Sequence, residues 1–121
     1  MVTMALVALG GALGAVLRWG AGLGAAHAGW PGWSATLAVN ALGGLAIGVL
    51  VARVPDPGHA ARAFLGVGVL GGLTTFSTFS AETVAMLTRH DFALAGAYVV
   101  GSLTLALGAC ALGATLARGL G

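Results

Sequence analysis

The sequence contains no lysine and no glutamine, and charged side chains make up only 7% of its 121 residues. Soluble domains contain about 25% charged residues, so this deficit argues against a soluble globular protein. The five basic residues are all arginine and are scattered, and no basic run is interleaved with aromatic residues, so a nucleic-acid partner is not indicated. The low charge, combined with 59% hydrophobic residues, predicts an integral membrane protein.

Cys110 is the only cysteine and lies in an apolar stretch. A single cysteine excludes an intramolecular disulfide and a cysteine-rich metal site, so we expect Cys110 to act as a small buried hydrophobic residue. The sequence also offers no activated nucleophile, no pair of carboxylates and no phosphate-binding loop. Because these groups are the apparatus of most enzyme chemistry, the chain is not predicted to be an enzyme.

Apolar residues form four runs, each long enough to cross a bilayer core as a helix of about 20 residues. The runs cover residues 2–21, 33–52, 60–88 and 92–115. The first run differs from a secretory signal, because no basic residue precedes its apolar part and Arg18 follows it, so a retained span is expected. The sequence therefore predicts an all-α integral membrane protein with a single four-helix domain, residues 1–121.

The distribution of arginine gives little information about orientation in the membrane. Four spans place both termini on one side, together with Arg53, Arg62 and Arg118, while Arg18 and Arg89 lie opposite. Because an excess of cytoplasmic Arg and Lys normally fixes orientation, this near balance predicts insertion both ways up, unless the C-terminal half or a partner decides. Four helices are too few to enclose a path, so we expect an antiparallel, dual-topology homodimer.

The third apolar run contains an unusually polar segment, Gly71-Gly72-Leu73-Thr74-Thr75-Phe76-Ser77-Thr78-Phe79-Ser80. Adjacent glycines followed by two threonines are poor helix formers, which predicts a break in this stretch, near the middle of the span. Non-helical backbone at membrane depth must be buried in protein or line a watery cavity. Carbonyls released there would need a cation, a water or a donor. The alternative is a packing kink whose hydroxyls bond back to nearby carbonyls.

Several other side chains could contribute to a path through the membrane. Asn40 lies near the middle of the second run, where an amide either joins helices by hydrogen bonds or offers its two N–H donors to an anion. Phe76 and Phe79 are three residues apart; they could be ordinary core, or their electropositive edges could border an anion. Glu82 follows one turn later, and a structural role is favoured for it, with Arg18 emerging on the same side as a potential partner.

Three of these segments resemble those of one family. Gly11-Ala12-Leu13-Gly14-Ala15-Val16-Leu17-Arg18, Thr36-Leu37-Ala38-Val39-Asn40 and the run from Gly71 to Ser80 occur in the order and spacing of the Fluc (CrcB-type) fluoride channels. The resemblance covers nearly the whole chain. It implies a passive fluoride channel in the inner membrane of a prokaryotic cell, built as an antiparallel homodimer with two pores and a central structural sodium ion.

The resemblance also implies roles for single residues. The fluoride pore would be lined by Asn40, Phe76, Phe79, Thr78 and Ser102. Backbone carbonyls of Gly71 and Thr74 would hold the sodium ion, and Arg18 would match the family's arginine at the end of the first span. Some members carry a further pore hydroxyl one turn after the serine, where this chain has Ala106. That difference leaves the outer part of the polar track open.

Two other functions remain as alternatives. A small proton-coupled drug or guanidinium exporter has a similar four-span size and dual insertion, but it needs a membrane-embedded carboxylate in its first span. Residues 1–21 contain no Asp or Glu. A non-transporting assembly subunit would leave the hydroxyls of the third span without a purpose. The fluoride channel that the resemblance implies is therefore the favoured function.

Overall fold

The computed structural model describes residues 1–119, which form helices joined by short connections. The helices are α1 (Val2–His27), α2 (Gly32–Arg53), α3 (62–73), α4 (Phe76–Thr88) and α5 (Phe92–Gly119). Together α3 and α4 form one interrupted span, Arg62–Thr88, so four helical segments are long and apolar enough to cross a membrane. The predicted number and order of spans are confirmed. The last two residues of the predicted domain 1–121 lie outside the described residues.

α1 is longer than predicted, because it continues through a stretch rich in glycine and alanine to His27. The chain then turns at Gly29, which has a φ of 72°, and the Gly29 amide donates to the Ala26 carbonyl. Glycine adopts this left-handed conformation without steric cost, which makes it a common helix terminator. Arg18 consequently lies within α1 and not at the end of the helix.

The helices pair through glycines that allow their backbones to touch. α1 packs mainly against α3, and a Cβ atom built on Gly10 or Gly14 would overlap the α3 backbone. α2 packs mainly against α5 in the same way, through Gly48 and Gly113. Because small residues let membrane helices approach closely, these two helix pairs form the framework of the fold.

The winding of α3 changes along its length. Residues Arg62–Leu70 form a π-helix, and a single α-helical turn, Gly71–Leu73, follows it. π-Helical turns are rare, but many of those that occur lie at functional sites. At the transition the Gly71 amide donates to the Gly66 carbonyl, one wide turn earlier. The wide turn brings Gly66 and Gly71 to the edge of the same cavity, although positions five apart lie on different faces of an α-helix.

A buried cluster joins α4 to α5. It consists of Phe79, Met86, Ala95 and Tyr98, and Trp33 and Leu37 of α2 pack against it. Met86 is only 1% exposed. The cluster holds one side of α4, whereas Ser77, Thr78 and Ala81 on its other sides are exposed. A membrane-spanning helix thus presents hydroxyl groups outside the protein core.

Candidate functional site

The third span loses its helical conformation at Thr74 and Thr75. Both residues are extended, with φ/ψ of −80°/154° at Thr74 and −152°/122° at Thr75. Thr75 is the central residue of the span Arg62–Thr88. Its Oγ1 accepts a hydrogen bond from the Thr78 amide at 3.1 Å and so caps the N-terminus of α4. The break in the third span was therefore predicted correctly.

The break lies at the two threonines of the predicted segment and not at its glycine pair. Gly71 and Gly72 are α-helical, and the helix ends only after Leu73. A Cβ atom on Gly72 would lie 2.5 Å from the Gly11 carbonyl oxygen, so this glycine is needed for contact with α1 and not for a change of direction. The two threonines end the helix instead, because their branched side chains disfavour it and their hydroxyls bond locally.

Asn40 of α2 binds the backbone at the break through both ends of its amide. Its Nδ2 donates to the Thr75 carbonyl at 3.0 Å, and its Oδ1 accepts from the Thr75 amide at 2.8 Å. These bonds satisfy backbone groups that would otherwise be costly at membrane depth. Asn40 thus has the interhelical role, one of the two left open for it. Its Nδ2 carries a second N–H, which this contact does not use.

The carbonyls of Gly71 and Thr74 are among those at the break that are deprived of their helical donors. In a continuous α-helix the Thr75 amide would donate to the Gly71 carbonyl, and the Thr78 amide would donate to the Thr74 carbonyl. In the structure these two amides donate to Asn40 Oδ1 and to Thr75 Oγ1. Gly71 and Thr74 both border the cavity beside the break, so their carbonyls remain as acceptors near the middle of the span.

The cavity beside the break, called here the main cavity, has a volume of about 380 Å³. Its polar and aromatic lining comes from Asn40, Thr74, Thr75, Ser102, Phe76 and Phe79. Gly71 also borders it, and Gly43 and Gly44 of α2 leave space next to Asn40. The structure therefore brings together every predicted site residue except Thr78.

Thr78 lies at a second cavity, of about 420 Å³, between α1, α2 and α4. The polar residues of this cavity are Arg18, Thr36, Thr78 and Glu82. Thr78 directly precedes Phe79 of the main cavity, and Thr36 lies one turn before Asn40 on α2. Helices α2 and α4 thus border both cavities. On α2 the polar residues of the two cavities are one turn apart.

Glu82 is held by two neutral hydroxyls. Thr36 Oγ1 donates to its Oε1 at 2.9 Å, and the Tyr98 hydroxyl donates to its Oε2 at 2.6 Å. Arg18 borders the same cavity, as its predicted side of the membrane requires, but the direct partners of the carboxylate are the hydroxyls. A carboxylate in a span is costly unless its oxygens are hydrogen-bonded, and α2 and α5 each supply one donor.

The two phenylalanines contact each other but occupy different environments. Their ring centroids are 5.4 Å apart and their planes are tilted by 50°. Phe79 is 8% exposed and also packs against Tyr98, at a centroid distance of 5.2 Å, whereas Phe76 is 73% exposed. Phe79 is therefore both core and cavity lining, while Phe76 projects outward at the edge of the main cavity.

Ser102 of α5 contributes a buried hydroxyl to the main cavity. Its Oγ has no hydrogen-bond partner among residues 1–119. Buried polar atoms are usually satisfied, and a small polar ligand or a water in the cavity would satisfy this one. Ala106 borders the same cavity one turn later and offers no donor. Among the α5 residues that line the main cavity, Ser102 is thus the one that offers a side-chain donor.

Three residues of the site were not assigned to it from the sequence. The spacing of Thr36, one turn before Asn40, was a usable signal, because it places both side chains on one face of α2. Thr75 was part of the polar segment, but its cap of α4 and its bonds with Asn40 depend on where the helix ends. Nothing around Tyr98 indicates a carboxylate partner on α4, since that contact arises only from tertiary packing.

Comparison with known proteins adds independent information. Residues 5–114 match the family described as CrcB-like protein, Camphor Resistance (CrcB). The chain is 42% identical to the fluoride-specific ion channel FluC of Caulobacter vibrioides, covering 98% of this chain and 97% of the relative. It is 48% identical to FluC of Bordetella pertussis (93% and 88% covered) and 45% identical to FluC of Rhodospirillum centenum (93% and 92% covered). The matched family region contains every residue of both cavities.

Proposed function

This chain belongs to the CrcB-like family, and we propose that it is a fluoride-specific ion channel that lets fluoride leave the cell passively across the inner membrane. Relatives named as fluoride-specific ion channels match it over nearly its whole length. The observation that carries the proposal is the main cavity at mid-span, where donors and aromatic rings meet. The protein is a channel and not an enzyme.

The chemistry of the main cavity suits a small anion. Fluoride is strongly hydrated, so a path must replace the water that it loses with other donors. The second N–H of Asn40 and the unpartnered hydroxyl of Ser102 are donors at the cavity. Phe76 and Phe79 can offer the electropositive edges of their rings. Such groups interact more strongly in apolar surroundings than in water, which favours an anion that sheds part of its hydration shell.

The second cavity supplies access from water in this proposal. Arg18 places a positive charge there, and Thr78 stands between this cavity and the rings. Thr75 Oγ1 donates to Thr78 Oγ1 at 3.0 Å, so the Thr78 hydroxyl proton can point to another acceptor. Fluoride would pass from Arg18 and Thr78 to Phe79, Phe76 and Asn40 along the first turn of α4.

We propose that two copies assemble as an antiparallel homodimer with two pores. Phe76 projects outward, and the exposed residues Gly71, Ser77 and Thr78 place polar groups on the surface of a span. Polar backbone in contact with lipid is strongly unfavourable, and a second copy seated on this face would remove it from lipid. The near-equal number of arginines on the two sides fits insertion in both orientations.

We also propose that the Gly71 and Thr74 carbonyls of the two copies hold a structural sodium ion. Hard cations favour carbonyl oxygens as ligands. The fit is supported by the two amides that donate elsewhere, to Asn40 and to Thr75, and leave these carbonyls as acceptors. When bound, the ion would neutralise the partial negative charge of carbonyls that have lost their helical donors.

A proton-coupled exporter fits the residues less well. Within residues 1–119, α1 contains no Asp or Glu that could exchange protons. Glu82 lies in α4, and both of its carboxylate oxygens accept hydrogen bonds from hydroxyls. The groups at mid-span are neutral donors and carbonyls, which suit passive passage of an ion.

Fluoride efflux from liposomes tests the proposed function. Purified protein is reconstituted in liposomes loaded with potassium fluoride, and external fluoride is recorded with an electrode after valinomycin is added to carry potassium. Rapid fluoride loss without a proton gradient is expected, with no such loss from protein-free liposomes or of chloride from matched liposomes. Absence of fluoride loss, or loss that requires a proton gradient, would contradict the channel.

Phe76→Ile and Phe79→Ile should each reduce fluoride efflux. Isoleucine has no electropositive ring edge, and an aromatic contact worth ~0.5–1.5 kcal/mol corresponds to a rate loss of up to about tenfold. Only Phe79→Ile should also lower the thermal stability of the protein, because Phe79 is buried against Tyr98 and Phe76 is not.

Phe92→Ile is the matched control for this pair. Phe92 is 63% exposed and borders neither cavity, so the same substitution there should leave fluoride efflux unchanged. Wild-type efflux from both the Phe76→Ile and the Phe79→Ile proteins would remove the rings from the path.

A further inference from the structure

We infer that Asn40 and Thr75 are positioning residues for the proposed cation site. Their side chains accept the amides of Thr75 and Thr78, and thereby keep the carbonyls of Gly71 and Thr74 open to an ion. This inference rests on the sodium site of the proposed function and names the residues that create its ligands.

Asn40 keeps the Gly71 carbonyl free of a helical hydrogen bond, because it accepts the Thr75 amide in its place. Its Oδ1 lies 2.8 Å from the Thr75 nitrogen, and its Nδ2 holds the Thr75 carbonyl at 3.0 Å, so the peptide groups on both sides of Thr75 are fixed by one side chain. Thr75 is 6% exposed, and a buried amide requires an acceptor. Without Asn40 Oδ1, the helical acceptor of this amide is the Gly71 carbonyl, which would then be less available to a cation.

The second carbonyl is kept open by Thr75 itself. Its Oγ1 accepts the Thr78 amide at 3.1 Å and caps α4. The first amides of a helix lack intrahelical acceptors and are satisfied by such caps. Without the hydroxyl, the Thr78 amide would turn to the Thr74 carbonyl, its acceptor in a continuous helix. A side chain thus replaces each of the two carbonyls as acceptor.

The two proposed ion sites are consequently coupled. Asn40 and Thr75 both border the main cavity, which is the proposed fluoride path, and they also determine which carbonyls face the cation. A substitution of Asn40 should therefore weaken sodium binding even when no fluoride is present. A residue that acted only on the anion would have no such effect.

The test measures sodium binding directly in fluoride-free buffer. The thermal midpoint of the purified protein is followed as sodium chloride replaces N-methylglucamine chloride, because a ligand that binds the folded state raises the midpoint. Asn40→Leu and Thr75→Val should each lower the sodium affinity by about tenfold or more, the loss typical of residues that orient metal ligands. Thr75→Ser keeps the hydroxyl and should retain most of the affinity.

Thr83→Val provides the matched control. Thr83 lies in the same helix, α4, and its Oγ1 donates to the Phe79 carbonyl but accepts no backbone amide from residues 1–119. The same loss of a hydroxyl at this position should leave the sodium affinity unchanged.

The outcomes separate this inference from the proposed function. A wild-type midpoint that does not respond to sodium would overturn the cation site and this inference with it, while the efflux assay still decides the fluoride channel. A responsive wild type whose Asn40→Leu and Thr75→Val variants bind sodium equally well would overturn this inference alone, as would an equal loss in Thr75→Ser and Thr75→Val. The two main variants act on different amides, so either one that stays folded is sufficient.

Discussion

Asn40→Asp is expected to reduce fluoride efflux by about a hundredfold or more, which corresponds to ~3 kcal/mol. A carboxylate in place of the amide can still accept the Thr75 amide, but it has no N–H for the Thr75 carbonyl, so two acceptors would face each other. It would also place a negative charge at the main cavity, where an anion must pass. The initial rate of fluoride loss from liposomes measures the effect.

Asn40→Ala separates the two causes of that loss. Both substitutions remove the Nδ2 donor; Asn40→Ala also removes the Oδ1 acceptor of the Thr75 amide, whereas Asn40→Asp keeps an acceptor and adds a charge. A lower efflux rate is expected for Asn40→Asp than for Asn40→Ala, and it would be due to the charge, because Asn40→Asp is the variant that keeps the bond to the Thr75 amide. Gel filtration must show both variants to be assembled like the wild type before their rates are compared. Wild-type efflux from the Asn40→Asp protein would remove Asn40 from the path.

The four spans and their order could be predicted because they depend only on local composition. An uninterrupted apolar run of about 20 residues can cross a bilayer in few ways other than as a helix. The ends of the spans were less certain, as α1 shows: its glycines after residue 20 looked like a connection, yet the helix continues to His27. Helix propensity is a weak guide where neighbouring residues and tertiary contacts also matter.

The break shows that a sequence motif can predict an interruption of a helix without fixing the residue at which the helix ends. A Gly-Gly pair can end a helix or admit a neighbouring helix, and the sequence does not distinguish these uses. Gly72 is occupied by its contact with Gly11, so the helix ends at Thr74 and Thr75 instead. Where the helix ends therefore depends on the position of α1. The local sequence carries no information about that position.

For the candidate site, the sequence likewise indicated the residues but not their contacts. Asn40, Phe76, Phe79 and Ser102 could be named in advance, the last through a family resemblance, because a polar or aromatic residue in an apolar run is conspicuous. What each contacts could not be named, since the partners come from distant parts of the chain. Glu82 is the clearest example: two hydroxyls from α2 and α5 hold its carboxylate, whereas the sequence pointed to an arginine on the same side of the membrane as a potential partner.

Gly14→Ala should destabilise the protein strongly and reduce the yield of folded channel. A Cβ atom at this position would overlap the Val69 carbonyl oxygen and lie 2.7 Å from the Leu73 nitrogen, and both atoms belong to the backbone of α3. Overpacking of this kind costs ~1–3 kcal/mol or more, which corresponds to a fall of about 5 °C or more in the thermal midpoint. Because Leu73 directly precedes the break, a displaced α3 would also shift Thr74, so fluoride efflux per folded protein should fall as well.

Gly20→Ala makes the same substitution in the same helix, but it is not expected to lower the thermal midpoint. A Cβ atom on Gly20 meets no atom within 4 Å in the described part of the chain, and alanine is the better helix former by ~0.5–1 kcal/mol. The thermal midpoint of the Gly20→Ala protein should therefore equal or exceed that of the wild type. Equal midpoints for Gly14→Ala and Gly20→Ala would mean that α1 and α3 do not meet backbone to backbone at Gly14, and the break would then lack the support on which the position of Thr74 depends.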